Sequence, residues 1–183
     1  MLIAKTLQLT LAILKPDVVK HPYIVQEIRE LILANKFYFV KSKLMHLTKL
    51  QAAEFYKEHD GKFFQGRLIN FMTSGPIWAH ILARENAIEE WRAMIGPTKV
   101  LKAFYEAPES IRGRHGLTDT RNCTHGADSE KSARREFQLL FSDFISDQWY
   151  EEDEEYFRKG LVTFDSVTFQ HMPVKNNSKH ILR

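Results

Sequence analysis

The hydrophobic pattern begins with a strand. Leu7, Leu9, Leu11 and Ile13 alternate with Gln8, Thr10 and Ala12, the period-2 signature of an extended segment with one apolar face. Lys15-Pro16-Asp17 ends it, because proline cannot donate to a central ladder. His21-Pro22 opens a helix whose stripe is Ile24, Ile28, Leu31 and Ile32, with Asn35 as its stop. Phe37 to Leu47 is a second extended run, its alternation broken near Lys41-Ser42-Lys43. Thr48 caps a short helix with Ala52, Phe55 and Tyr56. After Asp60-Gly61 a second short helix covers 63–72, and Phe63 reads as core. Ile77, Ala79, Ile81 and Ala83 form a third strand. Trp78 and His80 alternate with them and are expected to be covered by helices. Asn86 to Ile95 is helical, with Ile88, Trp91 and Ile95 on one stripe, and Gly96-Pro97 stops it.

Residues 97–117 show no clear period, which predicts a long functional or partner-contact loop. Leu117 to Thr124 supplies a fourth strand, and Ser129 to Phe141 a helix with the stripe Ala133, Phe137, Leu140 and Phe141. With the helical hairpin and the last helix set aside, the order is βαββαβ. That predicts an α+β fold, an α/β sandwich with a ferredoxin-like four-stranded antiparallel sheet and helices on one side. The inserted hairpin and the extra C-terminal helix decorate it.

Composition changes this picture little. A chain of 183 residues with 44% hydrophobic residues suits one core. Residues 1–149 form the domain, and Trp149-Tyr150 still packs on it. Residues 150–183 form an extension, acidic and then polar and partly flexible. Glu151 to Glu155 in it read as a solvated run, and 174–183 as mobile. The net charge of +3 becomes +4 once the tail's six acids and five bases are removed. A mildly basic domain suits a small phosphate ligand and is too weakly charged for a nucleic-acid binder. One cysteine excludes an internal disulfide and a Cys/His zinc site. No apolar run approaches a membrane span, and Met1 to Lys5 carry no targeting signal.

The chemistry concentrates in Arg121-Asn122-Cys123-Thr124-His125-Gly126-Ala127-Asp128-Ser129. Extended-chain residues lead into a turn at Gly126, and Asp128 and Ser129 can both cap the next helix. His125 therefore sits on the rim between strand and helix, a rigid and partly open mounting for a nucleophile or base. Lys15, at the end of the first strand, reads as a cation aimed at phosphate.

Six segments in order carry a resemblance: Ala12-Ile13-Leu14-Lys15-Pro16-Asp17, Phe63-Phe64-Gln65-Gly66, Ser74-Gly75-Pro76, Gly96-Pro97-Thr98, Ser110-Ile111-Arg112-Gly113 and Arg121 to Ser129. Over residues 7–149 the chain resembles nucleoside diphosphate kinases. The resemblance implies that His125 takes the γ-phosphoryl group of a nucleoside triphosphate and gives it to a nucleoside diphosphate. It implies that Lys15, Arg92 and Arg112 bind phosphates with the Thr98 hydroxyl, and that Asn122 with Lys15 binds the ribose. Phe64 would stack on the base beside Leu68. Tyr56 and Glu136 would sit behind His125 and fix its ring. Mg²⁺ with ATP or another nucleoside triphosphate is the implied cofactor, held by the phosphates and water rather than by protein side chains. An intracellular site, mitochondrial or cytoplasmic, is also implied.

Two departures matter. Ala127 stands where the family usually has a serine that hydrogen-bonds the glutamate matching Glu136. The 13 residues between Thr98 and Arg112 make a loop longer than the common form. That loop builds trimer contacts in the family's hexamer, so the longer form argues against the standard hexamer here. The alternative to an active kinase is a weakly active or inactive nucleotide-binding protein that serves a protein partner.

Overall fold

The computed structural model describes residues 5–175. In chain order its elements are β1 (Gln8–Leu14), α1 (Pro16–Val19), α2 (Pro22–Ala34), β2 (Tyr38–Met45), α3 (Lys49–Phe55), α4 (Gln65–Met72), β3 (Ile77–Arg84) and α5 (Ala87–Ile95). Then follow α6 (Val100–Glu106), α7 (Ile111–His115), β4 (Thr124–Gly126), α8 (Glu130–Leu140), α9 (Ser146–Glu152), α10 (Glu154–Arg158), β5 (Val162–Asp165) and β6 (Gln170–Pro173). The first four strands form one antiparallel sheet in the order β2-β3-β1-β4. The register sets Leu11 opposite Ile81 and Ile13 opposite His125. This is the expected ferredoxin-like α+β arrangement.

Helices cover both faces of the sheet rather than one. On one face Ile24, Ile28 and Ile32 of α2 and Trp91 and Ile95 of α5 pack on Ala12, Leu14, Phe39 and Leu82. On the other, Leu9, Leu11, Ile13, Ala79 and Ile81 meet α3, α8 and the tail through Phe55, Phe137, Trp149 and Phe157. Thr10 and Ala12, read from alternation as the less apolar side of β1, are therefore fully buried. The inserted hairpin and the C-terminal helices supply the second layer that the βαββαβ frame lacks. The broken alternation near Lys41 is a register shift between Phe39 and Lys41.

The stretch 97–117 is not a loop. It contains α6 and α7. Only Ala103 of α6 is buried while Leu101, Phe104 and Tyr105 are exposed, so no apolar stripe marks it as a helix. Lys99 gives no side-chain cap, and Asp119 Oδ1 instead accepts from Val100 N–H at 3.0 Å. Ser110 caps α7 by accepting from Gly113 N–H. The fourth strand also lies later than expected: 117–121 closes on itself through Leu117 N–H to Arg121 O, and β4 starts only at Thr124. His125 is thus the middle residue of the short edge strand β4 rather than a residue between strand and helix.

The tail packs on the domain through Tyr150, Phe157 and Val162 on one face and Phe169 on the other. Glu154 departs from the solvated-run expectation: it is buried, and its carboxylate accepts from Leu7 N–H at 2.9 Å and from Arg158 Nε at 3.1 Å. Tyr150 OH accepts from Leu9 N–H at 3.2 Å. β4 pairs only with Ala12 to Leu14, so these tail groups satisfy the upstream edge of β1. At the opposite edge, His171 Nδ1 accepts from Phe39 N–H at 3.0 Å, and Ser42 Oγ donates to Phe169 O at 2.7 Å. The Arg29 guanidinium of α2 lies between the Trp78 and Phe169 rings, 4.2 and 4.1 Å from their centroids. Trp78 and His80 are therefore covered by a helix and the tail, as expected, and offer no stacking surface to a nucleic acid. Of the segment 174–183 expected to be mobile, residues 176–183 lie outside the described residues, as do Met1 to Ala4. No helix among the described residues is long and apolar enough to cross a membrane.

Candidate functional site

Three backbone devices deliver His125. Its carbonyl accepts from Trp91 Nε1 at 3.0 Å, which ties β4 to α5. Gly126 permits that approach, because a Cβ there would lie 2.7 Å from Trp91 Cδ1 and 2.9 Å from Nε1. Ser129 then caps α8 by accepting from Ser132 N–H, and α8 returns Glu136 to the histidine.

His125 Nε2 lies 3.1 Å from both carboxylate oxygens of Glu136. Glu136 is almost fully buried, whereas the His125 side chain keeps 22% of its exposure. A carboxylate only accepts, so Nε2 carries the hydrogen and Nδ1 keeps its lone pair. The Phe55 ring meets the imidazole edge to face at 4.9 Å. Arg135 donates to Glu54 O and Phe55 O, which locks α3 to α8 and holds Phe55 and Glu136 on the two sides of His125. Ala127 is buried and has no donor for Glu136. Among the described residues, His125 gives that carboxylate its hydrogen bonds.

All ten residues expected at the site line one cavity of ≈ 610 Å³: Lys15, Tyr56, Phe64, Leu68, Arg92, Thr98, Arg112, Asn122, His125 and Glu136. Its basic end is tightly built. Lys15 Nζ donates to Asn122 Oδ1 at 2.6 Å, and Asn122 Nδ2 donates to Thr98 O at 3.2 Å. The buried Arg112 guanidinium spans three carbonyls, Asn122 O (3.2 Å), Gly96 O (2.8 Å) and Thr124 O (2.9 Å). Arg92 Nη1 reaches Gly126 O at 3.5 Å. Burial, and then the charge of Arg112, push the Lys15 ammonium down to about 8. Burial takes Arg112 down to about 10. Two cations packed this closely call for an anion between them.

Two details differ from the sequence reading. Phe63, expected in the core, is 91% exposed at the cavity, edge-on to Phe64 at 5.4 Å. α4 starts at Gln65 with Phe64 as its N-cap, so Phe63 precedes the helix and projects from it. Tyr56 lines the same cavity, but the ring in contact with His125 is that of Phe55. The Tyr56 hydroxyl is buried without a partner among the described residues, and burial followed by the Glu136 charge raises its pKa. Tyr56 stacks on His59 at 5.9 Å, and His59 meets Phe64 at 5.3 Å. Sequence reasoning also missed Trp91 as a site residue, and Arg67 and Asp119 on the cavity wall. For Phe55 and Trp91 the apolar stripes of their helices hid the role. Arg67 and Asp119 carried no signal beyond their charge.

Known proteins share both the sequence and the fold of this chain. The family model for nucleoside diphosphate kinase matches residues 8–145. The chain is 51% identical over 160 residues to "Nucleoside diphosphate kinase 6" of Mus musculus, covering 87% of this chain and 85% of that protein. It is 47% identical over 167 residues to the protein of that name from Danio rerio, covering 91% and 95%. A crystal structure of the Aquifex aeolicus nucleoside diphosphate kinase superposes with a TM-score of 0.71 at 35% identity, over 74% of this chain and 95% of that one. A basic cavity around a carboxylate-held histidine, on a fold and sequence shared with these relatives, shows that the chain belongs to the nucleoside diphosphate kinase family.

Proposed function

We propose that this chain is an active nucleoside diphosphate kinase with residues 1–149 as its catalytic domain and 150–183 as an extension. The observation that carries the reading is the pairing of His125 Nε2 with Glu136 at 3.1 Å beside Lys15, Arg92 and Arg112 in one cavity. Nδ1 attacks the γ-phosphorus of a nucleoside triphosphate, the bond to the leaving diphosphate oxygen breaks, and an N–P bond forms. A nucleoside diphosphate then attacks the phosphohistidine in reverse. Glu136 holds the ring and stabilises the imidazolium that results. Tyr56 lines the same cavity and packs between Phe55 and His59, where it supports the wall that holds the ring. Lys15, Arg92, Arg112 and the Thr98 hydroxyl neutralise and align the phosphates, which is the main demand of phosphoryl transfer. Asn122 and Lys15 hold the ribose. The base lies on the Phe63–Phe64 pair next to Leu68, where stacking tolerates many bases. Among the described residues no three His, Cys, Asp or Glu side chains group as a metal site. Mg²⁺ brought with the nucleotide would be carried by its phosphate oxygens and water, and would supply charge neutralisation there.

Incubation with γ-labelled ATP and Mg²⁺ is expected to give an acid-labile phosphoryl group on wild type and none on His125→Ala. A chase with GDP should release the label as GTP. Wild type that never labels would refute phosphotransfer. It would favour the second reading, a nucleotide-binding chain of low turnover that serves a protein partner. The buried Ala127, which has no side-chain donor to offer, is the observation on that side.

That observation gives a separate expectation. Ala127→Ser restores a donor beside Glu136 and should raise the labelling rate by about 10-fold, the lower end of what supporting hydrogen bonds contribute. An unchanged rate would mean that Arg135 and Phe55 already hold the pair.

Lys15 gives a pH signature. In the free protein it loses its proton near pH 8, and an adjacent phosphate raises that value. Nucleotide binding should therefore take up about half a proton at pH 8 and weaken as pH rises further. Titration calorimetry in buffers of differing ionisation enthalpy reads this directly, and no uptake would remove Lys15 from the phosphate site. The sign for folding is opposite. The unfolded lysine titrates at 10.5, so it binds more protons between about 8 and 10.5, and the free protein gains stability over that range.

A further inference from the structure

The turn that leads into β4 is strained. Cys123 has φ 73°, a left-handed conformation that residues with a side chain rarely adopt. Thr124 N–H donates to Asn122 O at 2.9 Å, closing a three-residue γ-turn of positive φ around Cys123. Asn122 lies on one side of that turn and His125 two residues along on the other. Its carbonyls are held from two directions: Arg112 takes Asn122 O and Thr124 O, and Lys15 N–H donates to Cys123 O at 2.8 Å. The Cys123 amide has a different partner. Asp17 Oδ2, 106 residues away in the chain, accepts from it at 3.0 Å. Asp17 is buried, burial raises its pKa, and among the described residues its Oδ1 has no partner. A buried carboxylate with a vacant oxygen is unfavourable for stability, so its position is better explained by what it holds. A charged acceptor makes the stronger hydrogen bond, and a strained conformation persists only when its surroundings impose it.

We propose that Asp17 is a positioning residue for phosphoryl transfer: its carboxylate holds the Cys123 amide in the left-handed turn, and the held turn fixes Asn122 and His125 relative to Lys15 and Arg112. This rests on the phosphohistidine reading of His125. It assigns Asp17 no contact with the nucleotide.

The sole cysteine reports on the turn independently of activity. Cys123 is fully buried and its thiol is pushed up to about 12, so a thiol reagent such as 5,5′-dithiobis(2-nitrobenzoate) should modify it slowly. In Asp17→Ala that reaction should accelerate by about 10-fold or more as the turn opens locally. The His125 labelling rate at saturating ATP should fall by about 10–100-fold. Asp17→Asn keeps an oxygen that can accept from the Cys123 amide, and should retain a third or more of the labelling rate together with slow thiol reaction. A purely structural Asp17 would lower the melting temperature of both variants, with labelling rate and thiol protection intact in the folded protein. Folded Asp17→Ala that labels at the wild-type rate with Cys123 still protected would overturn the proposal. If wild type itself does not label, phosphotransfer fails, and the thiol comparison still decides whether Asp17 holds the turn. If Asp17→Ala does not fold, Asp17→Glu, with the same charge displaced by one methylene, should show the slow labelling and fast thiol reaction instead.

Discussion

Arg112→Ala is expected to lower the thermal midpoint by roughly 10 °C and the His125 labelling rate by at least about 100-fold. The stability loss follows from the three carbonyls that Arg112 holds, Gly96 O, Asn122 O and Thr124 O. Asn122 O keeps its bond from Thr124 N–H, so Gly96 O and Thr124 O are the two acceptors that lose their donor, at about 1–3 kcal/mol each. A total near 4 kcal/mol corresponds to about 8–16 °C for a chain of this size. The kinetic loss has two sources, the missing phosphate cation and a loosened turn between Asn122 and Thr124. Arg112→Lys should recover little of either, because an ammonium is a point charge and cannot span three carbonyls in one plane. Thermal melts and single-turnover labelling measure the two losses separately. A midpoint within 2 °C of wild type would show that the carbonyls find other partners.

The second large effect is acid sensitivity at His80, which is fully buried. Ser42 Oγ donates its hydrogen to Phe169 O at 2.7 Å, so it accepts from His80 Nδ1–H at 2.8 Å. Among the described residues His80 Nε2 has no partner, and a proton there would be a buried charge near Arg29. Burial first, and the Arg29 charge second, push His80 down to about 3 from an ordinary 6.5. The folded value is depressed, so the unfolded chain binds more protons between 6.5 and 3, and stability falls as pH falls through that window. The slope approaches 1.36 kcal/mol per pH unit. From pH 7 to pH 5 this group alone should remove about 2 kcal/mol, and proportionally more below. His80→Gln, which can still donate to Ser42, should abolish that share of the pH dependence while losing some stability at pH 7. Urea melts at pH 7 and pH 5 decide the matter. Equal acid sensitivity in both proteins would mean that other groups carry it.

What could be read from the sequence follows the physics of each element. α2 and α5 carry apolar stripes that face the core on one side of the sheet and α8 one that faces the core on the other, so their periodicity located them. α6 buries a single residue and is capped from Asp119, 19 positions beyond Val100, and neither feature leaves a local pattern. β4 is three residues long and is preceded by a strained turn at Cys123; alternation alone moved the strand several residues upstream. In the site, groups named for their chemistry were found around one cavity, because charged and amide side chains announce themselves. The apolar residues that hold them, Phe55 on the His125 ring and Trp91 on its carbonyl, read as ordinary core. Glu154 was hidden for a related reason. One buried carboxylate inside an acidic run looks like its solvated neighbours until its partner at Leu7, 147 positions away, is known.

The tail's hold on both open edges of the sheet has a consequence for how the protein is made. Tyr150, Glu154, Phe169 and His171 satisfy or cover backbone of β1 and β2, yet they leave the ribosome more than 100 residues after the strands they protect. During synthesis the nascent sheet therefore passes through a stage with its core elements complete and its edges bare. An unpaired strand edge is a template for any other extended chain. The same stage is recreated in any product whose translation stops after residue 145, where the family match ends. Such a product keeps the whole cavity around His125 but exposes Phe39 and Trp78. Its bare strand edges are expected to favour chaperone capture or aggregation.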